Sequence, residues 1–238
     1  MKKIIVLSTD TLHHRYFLNS LERAGIPLTA YLFESARVNP PFPIGPLFEE
    51  HEQAFETERF FRDIPWDLKD GKAHIVGRVN GEDGLAALDG LRADFGVVFG
   101  TGRLSPAVIQ AFPDGLINVH RGITQEYRGL DSDLWAIYHG DYTNLGVSIH
   151  KVEEKLDTGE IVYQKHLSVE KGMKVWQIRY FTTLIATELI LESLRDYLEG
   201  RLRSNAQHIL GRYYSFMPLD LKKYVSAKFN RYTESLPF

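Results

Sequence analysis

Cysteine is absent from all 238 residues, which excludes disulfides, thiolate zinc sites and a cysteine nucleophile together. The lack of a disulfide framework fits a reducing compartment, so a cytoplasmic location is the expectation. No apolar run approaches the ~18 residues that a membrane helix needs, and no membrane partner is expected. The basic start Met1-Lys2-Lys3 is followed only by Ile4 to Leu7, too short for the apolar core of a signal peptide. Neither sign of charge dominates: 28 Lys and Arg stand against 31 Asp and Glu, a formal net charge of −3. That balance gives no general electrostatic reason to expect nucleic acid as a partner. Internal repeats and low-complexity tracts are also missing. What remains is a chain 44% hydrophobic and 25% charged, the balance of a soluble protein able to bury a core. Its length suits one large domain, or one domain with a short C-terminal appendage.

The N-terminal half alternates strand and helix signals. Lys3 to Leu7 is a short continuous apolar run, as expected of a strand buried on both faces. Ser8-Thr9-Asp10-Thr11 offers N-caps for a helix running to about Arg23, ended by Ala24-Gly25-Ile26-Pro27. Leu28 to Phe33, Phe95 to Phe99 and Gly115 to His120 read as further strands. Leu104 to Phe112 has helical spacing after Ser105-Pro106, where proline suits the first turn. Strand, helix and strand joined by tight connections imply right-handed crossovers and a parallel sheet, hence an α/β fold.

Two stretches break the rhythm. Residues 34–48 hold Pro40, Pro41, Pro43 and Pro46 and must form an irregular loop. Phe48 to Phe61 carries Glu49, Glu50, Glu52, Glu56 and Glu58 between aromatics, predicting an amphipathic helix that packs its phenylalanine side and leaves an acidic side in solvent. Val175 to Tyr197 reads as one long helix ended at Gly200. Beyond it, the aromatic-rich tail is expected to pack on the body or make a dimer contact.

The chemistry concentrates between Val97 and Gln164. Asn118 and His120 flank Val119 at the end of a buried strand, so alternation sends both to one face. Ligands in open α/β sheets bind beyond the carboxyl ends of the strands. An asparagine amide there can stabilise an oxyanion without titrating. A histidine moves a proton near neutral pH, and Asp157, placed in a loop by Lys155-Leu156-Asp157-Thr158-Gly159, can orient that imidazole. No activated serine or cysteine joins the cluster, which favours direct acyl transfer to an amine over a covalent intermediate. Asn-x-His after a strand also occurs as a cap beside a satisfied histidine, so spacing alone leaves both readings open.

The ordered motifs Asn118-Val119-His120, Tyr127-Arg128-Gly129, Gly146-Val147-Ser148-Ile149-His150 and Leu156-Asp157-Thr158-Gly159-Glu160-Ile161 resemble the 10-formyltetrahydrofolate-dependent formyltransferases. That family includes methionyl-tRNA, glycinamide ribonucleotide and amino-sugar N-formyltransferases and the formyltetrahydrofolate hydrolase. The likeness covers roughly Phe95 to Tyr197. It implies a Rossmann-like formyltransferase fold, with a mostly parallel central sheet flanked by helices. Residues 1–200 would form the catalytic domain, with the insertion at 34–62, and 201–238 an aromatic-rich appendage. By the same resemblance Asn118, His120 and Asp157 are the catalytic residues. The formyl donor 10-formyltetrahydrofolate would lie against Gly100, Thr101, Gly102, Arg103 and Leu104 on one wall, and Val152, Lys155 and Leu156 on the other. No metal is implied.

Departures from the family pattern bear on the acceptor. Many members read His-Pro-Ser-Leu-Leu-Pro where this chain has His120-Arg121-Gly122-Ile123-Thr124-Gln125, so the loop is reshaped. Arg121, Gly122, Tyr127 and Arg128, with Thr9, Asp10 and His13 at the first helix, are the candidate acceptor contacts. For His13, His14 and Arg15 the plainer expectation is a solvated helix face. The short segment after the long helix and the mildly acidic charge argue against a tRNA acceptor. A small amine, in particular a nucleotide-linked amino sugar, is the expected acceptor. In this scheme Asn118 and protonated His120 bind the oxyanion. The alternatives are a hydrolase using the same three residues, and a non-catalytic folate- or nucleotide-binding module. A homodimer is compatible with the tail.

Overall fold

The computed structural model describes residues 2–62 and 71–237. In chain order its elements are β1 (Ile4–Ser8), α1 (Leu12–Arg23), β2 (Leu28–Glu34), α2 (Glu49–Phe61), β3 (Ala73–Val76), α3 (Glu82–Leu91), β4 (Phe95–Phe99), α4 (Pro106–Gln110) and β5 (Leu116–His120). There follow β6 (Tyr127–Gly129), α5 (Ser132–His139), β7 (Gly146–Lys151), β8 (Ile161–His166), α6 (Ile178–Leu198), β9 (Arg212–Tyr214) and α7 (Leu219–Ser235). Among the described residues one sheet has the strand order β3-β2-β1-β4-β5-β7-β8. Strands β1 to β5 run parallel, while β7 and β8 are antiparallel additions.

The apolar run at the N-terminus works as its pattern predicts. All five residues of β1 are buried, and alternation divides them between two cores. Ile4 and Val6 pack with Phe17 and Leu21 of α1 and Ala186 and Ile190 of α6, whereas Ile5 and Leu7 pack with Leu88, Val108 and Phe112 on the opposite face. Helices on both faces of a mostly parallel sheet define the α/β architecture. The chain passes β1 to the neighbouring β2 and later returns to β4 on the other side of β1. A crevice therefore opens at the carboxyl ends of β1, β4 and β5.

Local signals account for most boundaries. Ser105 caps α4 by accepting a hydrogen bond from the Val108 amide, with Pro106 in the first turn, and the helix stops at Gln110, two residues short of the expected Phe112. The predicted helix over 175–197 begins as a 3₁₀ turn at Val175–Gln177 and continues as α6, whose hydroxyls on Thr182, Thr183, Thr187 and Ser193 all donate to carbonyls one turn back. Strand β3 and helix α3 carry weak patterns that the sequence reading did not register. The edge strand β3 leaves Ile75 largely exposed. The tail folds back on the body: β9 pairs with β6, and Val225 and Phe229 of α7 pack with Leu134 and Ile137 of α5. No helix among the described residues is long and apolar enough to cross a membrane.

The acidic side of α2 departs from expectation. Glu52 and Glu56 are buried, not solvated, because α6 presents Arg179 between them. Arg179 binds Glu56 in a fork, Nε to Oε1 at 2.7 Å and Nη2 to Oε2 at 2.8 Å, and gives Nη1 to Glu52 at 2.6 Å. One guanidinium thus serves two carboxylates, and the second is underpaid in charge. Burial, set against Arg179 and reinforced by Glu56, pushes Glu52 up from 4.5 to about 7. A carboxyl whose folded value is raised gives stability that is full below about pH 4.5 and is lost as pH rises through 7, about 3 kcal/mol in all. Replacing Glu52 by Gln is expected to remove that loss. Denaturant melts of both proteins between pH 4 and 8 check it, and parallel pH curves would refute the assignment.

Candidate active site

The site begins with the register of one strand pair. Antiparallel pairing of β7 on β5 sets Asn118 directly opposite His150, and His120 opposite Ser148. Cross-strand partners point to the same face, so an amide and a second imidazole meet at the strand ends. Asn118 Nδ2 lies 3.1 Å from His150 Nε2, while His150 Nδ1–H donates to the Lys151 carbonyl at 2.8 Å. One amide hydrogen of Asn118 is therefore committed to His150, and the other is available to the cleft.

His120 is held by a backbone carbonyl. Its Nε2 is 2.9 Å from the Tyr127 oxygen, an atom that only accepts, so Nε2 carries the proton and Nδ1 is the basic nitrogen. Asp157 Oδ2 lies 3.7 Å from that Nδ1, and its Oδ1 is 3.4 Å from His150 Nε2. The carboxylate reaches this position from the β7–β8 connection on a left-handed backbone, φ 55°, and Oδ2 accepts a 2.7 Å hydrogen bond from the Gly129 amide. The orientation of His120 thus comes from Tyr127 rather than from Asp157, whose contribution is charge. Gly122 packs behind the ring: a Cβ there would stand 2.7 Å from His120 Nε2.

Burial sets the charge states. It lowers the His120 value below the ordinary 6.5, with the Asp157 charge opposing and the nearby His150 and Arg121 adding to the depression. His13 is pushed well below 6.5 and His14 to about 3 by the same desolvation, with neighbouring positive charges assisting. Burial acts on Asp157 in the opposite sense. The imidazoles of His120 and His150 that face it and the Gly129 amide outweigh it and bring the carboxyl from 3.8 to about 2. The resting arrangement is a neutral histidine beside an ionised carboxylate. The expected protonated His120 therefore describes only the state reached after a proton has been taken.

These residues line a cleft of about 310 Å³. Of the eight candidate donor contacts, Gly100, Thr101, Gly102, Arg103, Leu104, Val152 and Leu156 line the cleft. Arg103 Nε donates to the Glu154 carbonyl at 3.0 Å and ties the walls together. Lys155 lies off the cleft and is exposed. Among the acceptor candidates, His13 and Arg121 line the cleft. The other five do not. Thr9 supports His14 Nδ1 through its hydroxyl at 2.9 Å, and Asp10 pairs with Arg15 at the surface. Gly122 and the Tyr127 carbonyl position His120. Arg128 spends its guanidinium on the carbonyls of Gly211 at 2.6 Å and Leu156 at 3.3 Å.

His13 and His14 are buried against Phe99, not on a solvated face, because α1 starts at the edge of the crevice. Asp131, Asp133, Phe216 and His150 also line the cleft without having been anticipated, and His14 lines it beside His13. For His150 the signal was present: it closes the Gly146–His150 motif, and alternation from a paired Asn118 would have found it. Among the described residues no group of His, Asp and Glu could hold a metal ion.

Residues 64–182, half of the chain, match the formyl transferase family, and the chain belongs to that family. The methionyl-tRNA formyltransferase of Synechococcus sp. (strain JA-3-3Ab) is 37% identical over 119 residues, covering 50% of this chain and 37% of that protein. The chain thus spans well under half the length of that curated relative. Among solved structures, glycinamide ribonucleotide transformylase 1 from Symbiobacterium toebii superposes with a TM-score of 0.62 at 20% identity, over 90% of this chain and 92% of that one. The formyltransferase PseJ from Anoxybacillus kamchatkensis, in complex with UDP-4,6-dideoxy-4-formamido-L-AltNAc and tetrahydrofolate, gives a TM-score of 0.56 at 19% identity, over 94% and 89%. The family and the α/β fold agree with the expectations drawn from the sequence.

The geometry generates a direct check on His120. A lowered histidine value means stability that is full above pH 6.5 and is lost as pH falls through the folded value. An NMR titration of the imidazole is expected to show a midpoint below 6.5. A midpoint at or above it would mean that Asp157, not burial, dominates.

Proposed function

We propose that this protein transfers a formyl group from 10-formyltetrahydrofolate to the primary amine of a small acceptor. The observation that carries the reading is the convergence of Asn118, His120 and Asp157 at the strand-end cleft of a formyl transferase chain. The wall at 100–104 suits a flat polar heterocycle. Gly100 has φ 89° and Gly102 has open backbone, so peptide groups rather than side chains meet the ligand, with Leu104, Val152 and Leu156 supplying apolar contact. The donor supplies the activated formyl carbon. This chain's residues supply the rest.

Neutral His120 takes the amine proton at Nδ1, the nitrogen left free by the Tyr127 hydrogen bond. The imidazolium so formed faces the Asp157 carboxylate, which offsets the new positive charge in a buried place. The free amide hydrogen of Asn118 meets the negative charge that develops on the formyl oxygen. Charged His120 then returns a proton to the departing nitrogen. Residues 1–200 form the catalytic unit in this scheme, with 201–238 docked upon it.

An amino sugar, nucleotide-linked as in the PseJ structure, is the proposed acceptor. The far end of the cleft supports it with neutral His13 and His14 and with Arg121, 3.7 Å from Asp133, a polar lining suited to hydroxyls and phosphate. The net charge of −3 supports a small acceptor over tRNA.

Calorimetric titration with 5-formyltetrahydrofolate is expected to show saturable binding, and its absence at millimolar ligand with folded protein would overturn the donor assignment. Once an acceptor screen gives turnover, Asn118→Ala should lose about 10²–10³-fold in kcat. Retention of half the wild-type rate would contradict its role. The rate should fall on the acid side as His120 Nδ1 or the amine protonates, and a flat profile between about pH 5 and 9 is incompatible with this scheme.

A further inference from the structure

The segment that follows α6 reaches into the catalytic loops. Asn205 exchanges both backbone hydrogen bonds with Ile161, at 2.9 and 2.8 Å. Gly211 and Arg212 donate their amides to the carbonyls of Thr124 and Glu126. Arg128 answers from the other side by donating to Gly211 and Leu156. Residues 204–214 therefore strap together the 121–129 loop, which orients His120, and the 152–161 loop, which carries Asp157. Between these ties sits Gln207. Its Nε2 donates to the Asp157 carbonyl at 3.1 Å and to the Gly159 carbonyl at 2.8 Å.

We infer that Gln207 is a positioning residue for the reaction: its amide locks the left-handed backbone of Asp157 and so fixes the carboxylate beside His120. The inference rests on the roles given above to His120 and Asp157.

A residue with a Cβ adopts φ 55° at a cost, and without ties the backbone relaxes toward negative φ. Such a relaxation swings both the carbonyl and the carboxylate of Asp157. Three contacts oppose it. The Gly129 amide holds Oδ2, Gln207 holds the carbonyl, and Gly159 lies so close to the Lys151 carbonyl that a Cβ would stand 1.9 Å from that oxygen. The orientation of the Gln207 amide is fixed by chemistry, since a reversed amide would set its oxygen against two carbonyl oxygens. The donor end of the amide faces the Asp157 loop and spans its two carbonyls.

The test reads the His120 environment in the full chain and uses neither folate nor acceptor. The groups facing His120 are Asp157, His150, Arg121 and the Tyr127 carbonyl. The imidazole titration is followed by NMR, assigned with His120→Gln, in wild type, Asp157→Asn and the near-isosteric Gln207→Met. Loss of the carboxylate in Asp157→Asn lowers the His120 midpoint and calibrates the scale. Gln207→Met is expected to move the midpoint at least about a third of that way, with its thermal midpoint close to wild type. With an acceptor in hand, kcat should fall about tenfold or more while the acceptor KM stays within about twofold. Gln207→Glu places an acceptor where a donor is needed and should behave at least as badly above neutral pH, recovering as the carboxyl protonates. An unshifted His120 in folded Gln207→Met overturns the inference. So does a chain that folds with neither substitution, since Gln207 would then serve folding itself. Failed folate binding with a shifted His120 would instead count against the proposed donor and leave this positioning role standing.

Discussion

The site depends on the antiparallel register of β7 against β5. A parallel strand would arrive from the far edge of the sheet through a crossover. Antiparallel entry instead brings His150 level with Asn118, and the loop that follows β7 carries Asp157 back to both histidines. A slip of one residue would send His150 to the opposite face and put Ile149 against Asn118. The burial of Val147 and Ile149 in the core beneath α6 holds the register, so apolar packing on one face fixes polar chemistry on the other.

Burial then determines what the polar groups can do. His120, His13 and His14 are neutral at ordinary pH because the crevice removes them from water, while Asp157 stays ionised because the imidazoles facing it and the Gly129 amide favour the anion. A neutral base beside a fixed anion is prepared to take a proton and to hold the resulting charge. The same physics governs the α2–α6 interface in a structural role. There Arg179 and two glutamates are shut away from solvent, and the less well paired Glu52 retains its proton to higher pH.

The C-terminal segment belongs to the site as much as to the scaffold. Arg128 looks like a substrate contact when only its motif is considered, yet its Nε and Nη1 donate to backbone carbonyls of two loops. Tyr127 likewise acts through its carbonyl, while its hydroxyl donates to Asp141 at 3.0 Å. Residues close in sequence to His120 serve here to hold it.

Periodicity and motif order were enough to reveal β1, α1, β4, β5, α6 and the group Asn118, His120 and Asp157, because continuous apolar runs, caps and strand alternation are local properties of the chain. The sequence reading placed the glutamates of α2 in solvent, since nothing within that helix reveals an arginine 123 positions away at residue 179. His13 and His14 were misplaced for the same reason. Their burial comes from Phe99 on another strand. Gln207 carries no motif, and its partners lie about 50 positions earlier. The sequence alone determined the fold class, the family and the proposed reacting group of Asn118, His120 and Asp157, each encoded in short-range pattern. Tertiary structure alone decided which nitrogen of His120 is basic, which histidines are neutral and what holds Asp157. Those properties arise from desolvation and from hydrogen bonds between segments that meet only when the chain has folded.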